Sequence, residues 1–378
     1  MNSTKNLRLT LFLPSLRGGG AERVMLSLAE GFAQRGFYVD LVLAKAEGSY
    51  LKDVSKKVRV VDLNASRVIK SLPALVRYLR SEKPDVMLSA MGYANIVSIW
   101  ARSMAMVSTR IVVSEHANLT LSMRNAQSSR AQFIPWLMRI FYPWADGVVA
   151  VSKGVADDLA RVIGLSRERV RVIYNPVVTP ELLEKSKEPI NHPWFRPGEP
   201  PIIYGIGRLT KQKDFPTLIQ AFALVRKERP ARLIILGEGE ERHELEKLSR
   251  KLGIANDVDM PGFVDNPFAW LRHSSMFVLS SAWEGFGNVL VEAMACGCPV
   301  ISTDCPSGPA EILENGKYGK LVAVGDVAGL AKAIVEILDD SNPLDGVLRA
   351  QDFGTEQAAV GYLKILLGDE QALAMAGR

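Results

Sequence analysis

The stretch LRLTLFLPSLRGGGAERVMLSLAEGFAQRGFYVDLVLA, residues 7–44, carries three signals in succession. An apolar run stops at Pro14, and a glycine triplet (Gly18, Gly19, Gly20) follows. Val24, Leu28 and Phe32 then recur at helical spacing until Gly36, and a second β-branched run, YVDLVLA, begins at Tyr38. Strand, glycine turn, amphipathic helix and strand in this order are a strand–helix unit of a parallel sheet.

The alternation continues along the chain. VRVVDL, DVMLSA, RIVVSEH, GVVAVS and VRVIYN are further strand candidates as far as residue 175. Over residues 176–201 the pattern lapses into a proline-rich polar stretch that reads as an interdomain connection. A second series follows with PIIYGIG, ARLIILG, VDMPGF, MFVLSSA, PVISTD and KLVAV, and TEQAAVGYLKILL reads as a last helix. A chain of 378 residues accommodates two cores. The expected organisation is an α/β fold with one domain over 1–178, a linker over 179–200, a second domain over 201–354 and a terminal segment over 355–378. Two such domains would face a central cleft, with ligands outside the carboxyl ends of the strands.

Composition narrows the class. No run of eighteen uncharged apolar residues occurs, so no membrane-spanning helix is expected. The opening apolar run lacks a small-residue cleavage site and reads as a strand rather than a signal peptide. Cys296, Cys298 and Cys305 are three cysteines within ten residues. That suits buried thiols in a reducing cytosol better than a disulfide framework or a paired zinc site. The net charge of +5 divides into +12 over residues 1–175 and −7 over the rest. A basic first half suggests an anionic partner there. No nucleic-acid motif accompanies it, and nucleic acid is not expected as a partner.

Four motifs could carry chemistry. SLRGGGAERV (15–24) lets the backbone approach a ligand closely at Gly19 and Gly20, ahead of a helix whose amides favour an anion. It is not a dinucleotide fingerprint, because Arg23 stands where the third glycine is required. GIGRLTKQKDF (205–215) places Arg208 and Lys213 in a glycine-cleared turn suited to clamping a diphosphate. WEGFGNVLVEAMACGCPVISTD (283–304) sets Gly285 and Gly287 before a helix starting near Asn288. The amides of Asn288, Val289 and Leu290 would then face a phosphate. Glu292, one turn further on, suits the vicinal hydroxyls of a ribose, and Glu284 would meet hydroxyls at the other end of the ligand. A glycoside-hydrolase reading of Glu284 and Glu292 is disfavoured, since a phosphate-binding turn lies between them. Finally, SEHAN (114–118) puts His116 at a strand's carboxyl end.

Taken together, these residues resemble a retaining glycosyltransferase of the GT-B fold, from family four, which uses sugar nucleotides. The resemblance spans nearly the whole chain: GGG at 18–20, EH at 115–116, VS at 151–152, NP at 175–176, GRLTKQKD at 207–214, GEG at 237–239 and Glu284 with Glu292 seven residues between. It implies two Rossmann-like domains facing a central cleft, with the final helix crossing back to the first domain. It further implies that Glu284 contacts the donor sugar, Glu292 the ribose, and Arg208 and Lys213 the diphosphate. Phe286, Gly287, Asn288 and Val289 would cover sugar and phosphate, mainly through backbone. Gly262, Phe263 and Val264 would meet the base, and His116 would line the sugar and acceptor side.

SGPAEIL (307–313) is most similar to members that extend lipid-linked oligosaccharides or lipopolysaccharide core. The implied activity moves a hexose or N-acetylhexosamine from a nucleotide diphosphate sugar, with UDP expected, to a polyprenyl-linked saccharide or other glycan. No metal and no further cofactor are expected. A sugar-nucleotide epimerase, a phosphorylase or a non-catalytic nucleotide-sugar-binding protein are the alternatives. RNAQSSRAQFIPWLMRIFYPW (124–144) mixes Arg124, Arg130 and Arg139 with Phe133, Trp136, Phe141, Tyr142 and Trp144. Arginine beside aromatics suits an anionic membrane surface. The expected location is therefore cytoplasmic and peripheral, at the inner face of the cell membrane.

Overall fold

The computed structural model describes residues 7–125, 133–340 and 344–368. Two compact units divide the chain: Met1–Pro176 with Thr355–Arg378, and Val177–Gly354.

The first unit holds a seven-stranded sheet of β1 (Arg8–Leu13), β2 (Tyr38–Leu43), β3 (Val58–Asp62), β4 (Val86–Ala90), β5 (Arg110–Glu115), β6 (Gly147–Ala150) and β7 (Val170–Val172). The order is β3-β2-β1-β4-β5-β6-β7, and every pairing is parallel. The chain winds outward from β1 to β3, returns to pair β4 with β1, and then winds the other way. The reversal between β1 and β4 is a topological switch point, where the carboxyl ends of doubly wound strands leave a crevice for ligands. Leu9, Leu11 and Leu13 point to one face and share a core with Leu28 and Phe32 of the helix Gly20–Gln34. The helix Thr355–Leu367 enters this same core through Ala359, Tyr362 and Leu363, and Arg35 pairs with Glu356 beside it. The terminal segment thus completes the first unit's hydrophobic layer.

The second unit repeats the plan with β8 (Ile202–Ile206), β9 (Arg232–Leu236), β10 (Val258–Gly262), β11 (Met276–Leu279), β12 (Val300–Thr303) and β13 (Lys320–Val322). Its order is β10-β9-β8-β11-β12-β13, again parallel, with the switch point between β8 and β11. Ile203, Leu233 and Ile235 pack with Leu218, Phe222 and Ile334 from the covering helices.

The stretch 179–200, expected as a linker, belongs to this unit. It forms a helix (Pro180–Ser186) and a short turn (Pro193–Phe195). Asn266 donates to the Lys185 carbonyl at 2.8 Å and to the Glu188 carboxylate at 2.7 Å. His192 bonds Asp259 at 3.0 Å, and the Arg232 guanidinium lies 4.9 Å over the Trp194 ring. Its prolines read as a spacer, but its aromatic side chains give it a docking face. Among the described residues no helix is long and apolar enough to cross a membrane.

Candidate active site

The switch point of the second unit is where two loops meet, one after β8 and one after β11. The β8 loop turns at Gly207 so tightly that a Cβ there would lie 2.8 Å from Lys213 Cε, closer than real side chains approach. With a side chain at 207 the lysine stem would have to shift from this path over the loop. Gly237 supports the loop from β9: with φ at +131°, its missing Cβ would fall 2.0 Å from the Gly207 carbonyl oxygen. The GEG segment then pins the turn, with Leu209 N–H donating to Glu238 O at 2.9 Å.

Lys213 Nζ, so directed, donates to Glu284 Oε1 at 2.6 Å. Glu284 comes from the β11 loop and is 8% exposed. Ser281 Oγ donates to the same oxygen at 2.7 Å. The two loops are stitched along their backbones as well. Ala282 N–H donates to Gln212 O at 2.8 Å, Gln212 Nε2 to Trp283 O at 3.0 Å, and Ser280 Oγ to Lys213 O at 2.7 Å. Arg208, on the same β8 loop, is exposed, and its guanidinium has no ion-pair partner among the described residues. A paired cation and a carboxylate therefore meet at this switch point, with an exposed arginine on the same β8 loop.

The helix after this loop spans Asn288–Ala295 and is headed by Gly287 at φ +103°. Leu290 N–H donates to Gly287 O at 2.9 Å, so the outward role expected of that amide is taken up inside the helix. Glu292 is 5% exposed, on the buried side of the helix. Phe286 is buried against Phe353 with ring centroids 5.4 Å apart, which leaves its backbone rather than its ring to face a ligand. Gly308, from the SGPAEIL stretch, packs on that backbone. A Cβ at its φ of +108° would meet Phe286 O at 1.9 Å. At the carboxyl end of β10, Gly262 accepts from Gly237 N–H at 2.9 Å, Val264 is half-buried, and Phe263 stands 74% exposed.

In the first unit His116 follows β5, and its Nε2 lies 3.0 Å from Ser114 Oγ. Burial holds its imidazole well below the ordinary range, at about 4. Gly20 begins the helix after β1 and Gly19 caps it. Glu22 lies against Gly19, since a Cβ there would fall 2.2 Å from its Oε2. The positive end of this helix, expected to attract an anion, already faces a carboxylate of its own chain.

Two clusters escaped the sequence. Ser281 and Thr303 hold the Glu284 loop, and nothing distinguishes them among many hydroxyl residues along the chain. Glu115, beside His116, is 3% exposed. It accepts from Asn95 Nδ2 at 2.7 Å and from the Tyr142 hydroxyl. Burial pushes its carboxyl up to about 7. Its place in the EH pair was visible, but not its partners, which come from different elements. The three cysteines are buried, and burial pushes the thiols of Cys296 and Cys305 up to about 12.

Comparison with known proteins gives the family and the fold. The description "Glycosyltransferase Family 4" matches residues 18–180, and "Glycosyl transferases group 1" matches residues 186–351. An uncharacterized glycosyltransferase of Methanocaldococcus jannaschii is 30% identical over 77% of this chain and 81% of its own length. The N-acetylgalactosamine-N,N'-diacetylbacillosaminyl-diphospho-undecaprenol 4-alpha-N-acetylgalactosaminyltransferase of Campylobacter jejuni is 29% identical over 96% and 100%. A lipopolysaccharide core biosynthesis glycosyltransferase of Rhizobium meliloti is 28% identical over 86% and 87%. Among solved structures, sucrose-phosphate synthase from Thermosynechococcus elongatus superposes with a TM-score of 0.80 at 21% identity, covering 97% and 99% of the two chains. An Anabaena protein in complex with UDP and glucose reaches 0.76 at 21%, over the same shares. The chain belongs to the family-four glycosyltransferases, and its two Rossmann-like domains are of the GT-B type.

Proposed function

We propose that the chain transfers a hexose or N-acetylhexosamine from a UDP-sugar to a lipid-linked saccharide or another glycan, retaining the anomeric configuration and needing no metal. The observation that carries this reading is the Lys213–Glu284 contact at the switch point, with the exposed Arg208 on the same β8 loop. When the glycosyl–phosphate bond breaks, negative charge accumulates on the departing diphosphate. Lys213, Arg208 and the tip of the helix Asn288–Ala295 are fixed donors that stabilise it there. In other enzymes removing one such donor costs about 3–4 kcal/mol of barrier. These cations do the work that a metal does elsewhere.

The remaining roles follow from chemistry. Glu284 accepts from a sugar hydroxyl, and Glu292 from the ribose. The backbones of Phe286, Gly287, Asn288 and Val289 cover sugar and phosphate. Gly262, Phe263 and Val264 meet the base, where an exposed aromatic ring suits a uracil face. In the first unit Gly19 and Gly20 offer backbone to the nucleotide-sugar donor, while His116 lines the sugar and acceptor side, where a neutral imidazole suits contact with hydroxyls. The names of the Campylobacter and Rhizobium relatives support a lipid-linked or lipopolysaccharide acceptor.

An acceptor of that kind also implies a membrane. Phe133, Trp136, Ile140 and Trp144 are exposed around the helix Ile134–Phe141, and Arg139 is exposed among them. Met138 and Tyr142 anchor the same segment inward. We assign this face to an anionic lipid surface at the inner side of the cell membrane. Arg130, part of the expected basic set, lies outside the described residues.

The direct test is calorimetry with UDP, GDP and ADP. Release of nucleotide from the matching sugar donors, with EDTA present, and the anomeric configuration of the product by NMR complete it. Preference for UDP and a retained linkage are expected. A product of inverted configuration, or turnover abolished by EDTA, would sink the proposal.

A further inference from the structure

We infer that Ser281 is a positioning residue for Glu284: its hydroxyl fixes one carboxylate oxygen so that the other is offered to a hydroxyl of the transferred sugar. The inference rests on the function proposed above and sharpens how that site reads the donor.

Three observations carry it. First, Glu284 is bonded asymmetrically. Lys213 Nζ at 2.6 Å and Ser281 Oγ at 2.7 Å both donate to Oε1, whereas no described residue donates to Oε2. A carboxylate has about two acceptor sites on each oxygen. Oε1 is therefore saturated, and Oε2 keeps its full accepting capacity. Second, Ser281 is wholly buried, so its hydroxyl has no water to turn towards. Third, its backbone is pinned on both sides. Thr303 Oγ1, at the end of β12, donates to the Ser281 carbonyl at 2.5 Å. Ser280 Oγ and Ala282 N–H are tied to the β8 loop.

The two donors on Oε1 are not equivalent once a donor substrate arrives. A diphosphate competes with Glu284 for Lys213, since it carries more negative charge than a carboxylate. The lysine's share of Oε1 then weakens, and Ser281 becomes the fixed donor that keeps the carboxylate plane from swinging. Both UDP and its sugars bring that diphosphate, but only the sugar nucleotide brings a hydroxyl to Oε2, so the serine's contribution is larger with sugar nucleotide bound than with nucleotide alone. A serine that merely packed the loop would affect both states alike.

The experiment uses the full chain with UDP and with four donors: UDP-glucose, UDP-galactose, UDP-N-acetylglucosamine and UDP-N-acetylgalactosamine. Ser281→Ala should lower kcat for nucleotide release from the best of these by roughly ten- to a hundredfold, the weight of one hydrogen bond to a charged group. Affinity for UDP should stay within about twofold, because that ligand does not reach Oε2. In a Glu284→Gln background the same Ser281 substitution should cost less than about twofold, the mark of two residues acting as one unit. Thr303→Val, which frees the Ser281 carbonyl, should repeat the pattern more weakly. It serves as the probe if Ser281→Ala does not fold.

An equal loss from Ser281→Ala in both backgrounds, or a fall in UDP affinity matching the fall in turnover, would overturn the proposal while leaving the role of Glu284 intact. Full turnover in Glu284→Gln alone would instead overturn the reading of the site on which it rests.

Discussion

The hydroxyls of Ser114 and Tyr362 lie 3.0 Å apart although 248 positions separate them in sequence. Ser114 sits on β5 and also lies 3.0 Å from His116 Nε2, so the C-terminal helix and the candidate acceptor histidine share one serine. Tyr362 is wholly buried, and burial pushes its hydroxyl up to about 12. It therefore stays a neutral hydrogen-bonding group over the working range. Tyr362→Phe removes this bond and little volume. A destabilisation of about 1 kcal/mol is expected, read as a fall in thermal midpoint. An unchanged midpoint would show that the bond contributes nothing.

Glu115 and His116 are adjacent and are shifted in opposite senses. The Glu115 carboxyl moves from 4.5 up to about 7, because burial disfavours its charge. Folding then favours the protonated form, so this group's contribution is intact below pH 4.5 and is lost as pH rises to 7. His116 moves from 6.5 down to about 4 by burial. Its contribution is intact above 6.5 and is lost as pH falls towards 4. Glu115→Gln should therefore gain stability relative to the unaltered chain between pH 5 and 8, by up to about 3 kcal/mol. Denaturation series at several pH values would reveal it. A difference that does not vary with pH would mean Glu115 is charged in the fold.

Lys213→Ala should cut turnover roughly a hundredfold or more if its ammonium meets the leaving diphosphate. Near-normal kcat would mean that the Glu284 ion pair is only structural. Glu292→Ala should weaken UDP binding in calorimetry, and an unchanged Kd would remove the ribose assignment.

Gly237→Ala tests the backbone support of the lysine. Its φ of +131° and the 2.0 Å approach to Gly207 O leave no room for a methyl group. The β8 loop must move, so both stability and UDP affinity should fall. Gly253→Ala is the control, because that residue has φ +73° and nothing within 4 Å. There only the left-handed backbone is penalised, by about 1 kcal/mol. Equal effects of the two substitutions would show that the close approach is not what matters.

Sedimentation with liposomes tests the exposed aromatic face. Trp136→Ser together with Trp144→Ser should abolish low-salt pull-down by anionic vesicles without lowering the thermal midpoint, since both rings are more than half exposed. Equal recovery on neutral vesicles would argue against an electrostatic contribution from Arg139.

The strands were legible for a particular reason. LRLTLFL, DVMLSA and MFVLSSA lie in parallel sheets covered by helices, and such strands read as apolar runs because both faces are buried. The glycines at 18, 207, 237 and 287 were visible as punctuation because each takes a positive φ that favours glycine. The proline-rich 179–200 misled for the complementary reason. Composition reports chain stiffness and polarity, not whether Trp194 and Phe195 find a surface to cover.

The sequence by itself determined two runs of strand–helix units, the turns that head them, and the residue types offered to an anion. Local backbone preference and apolar periodicity act over a few residues, and a single chain displays them. Which strand lies beside which, that Lys213 and Glu284 meet, and that Ser281 takes the second place on the same oxygen were decided by the tertiary structure. Those contacts join positions three to 71 apart through switch points and loop crossings. Only the simultaneous burial of many side chains, none of which names its partner, selects them.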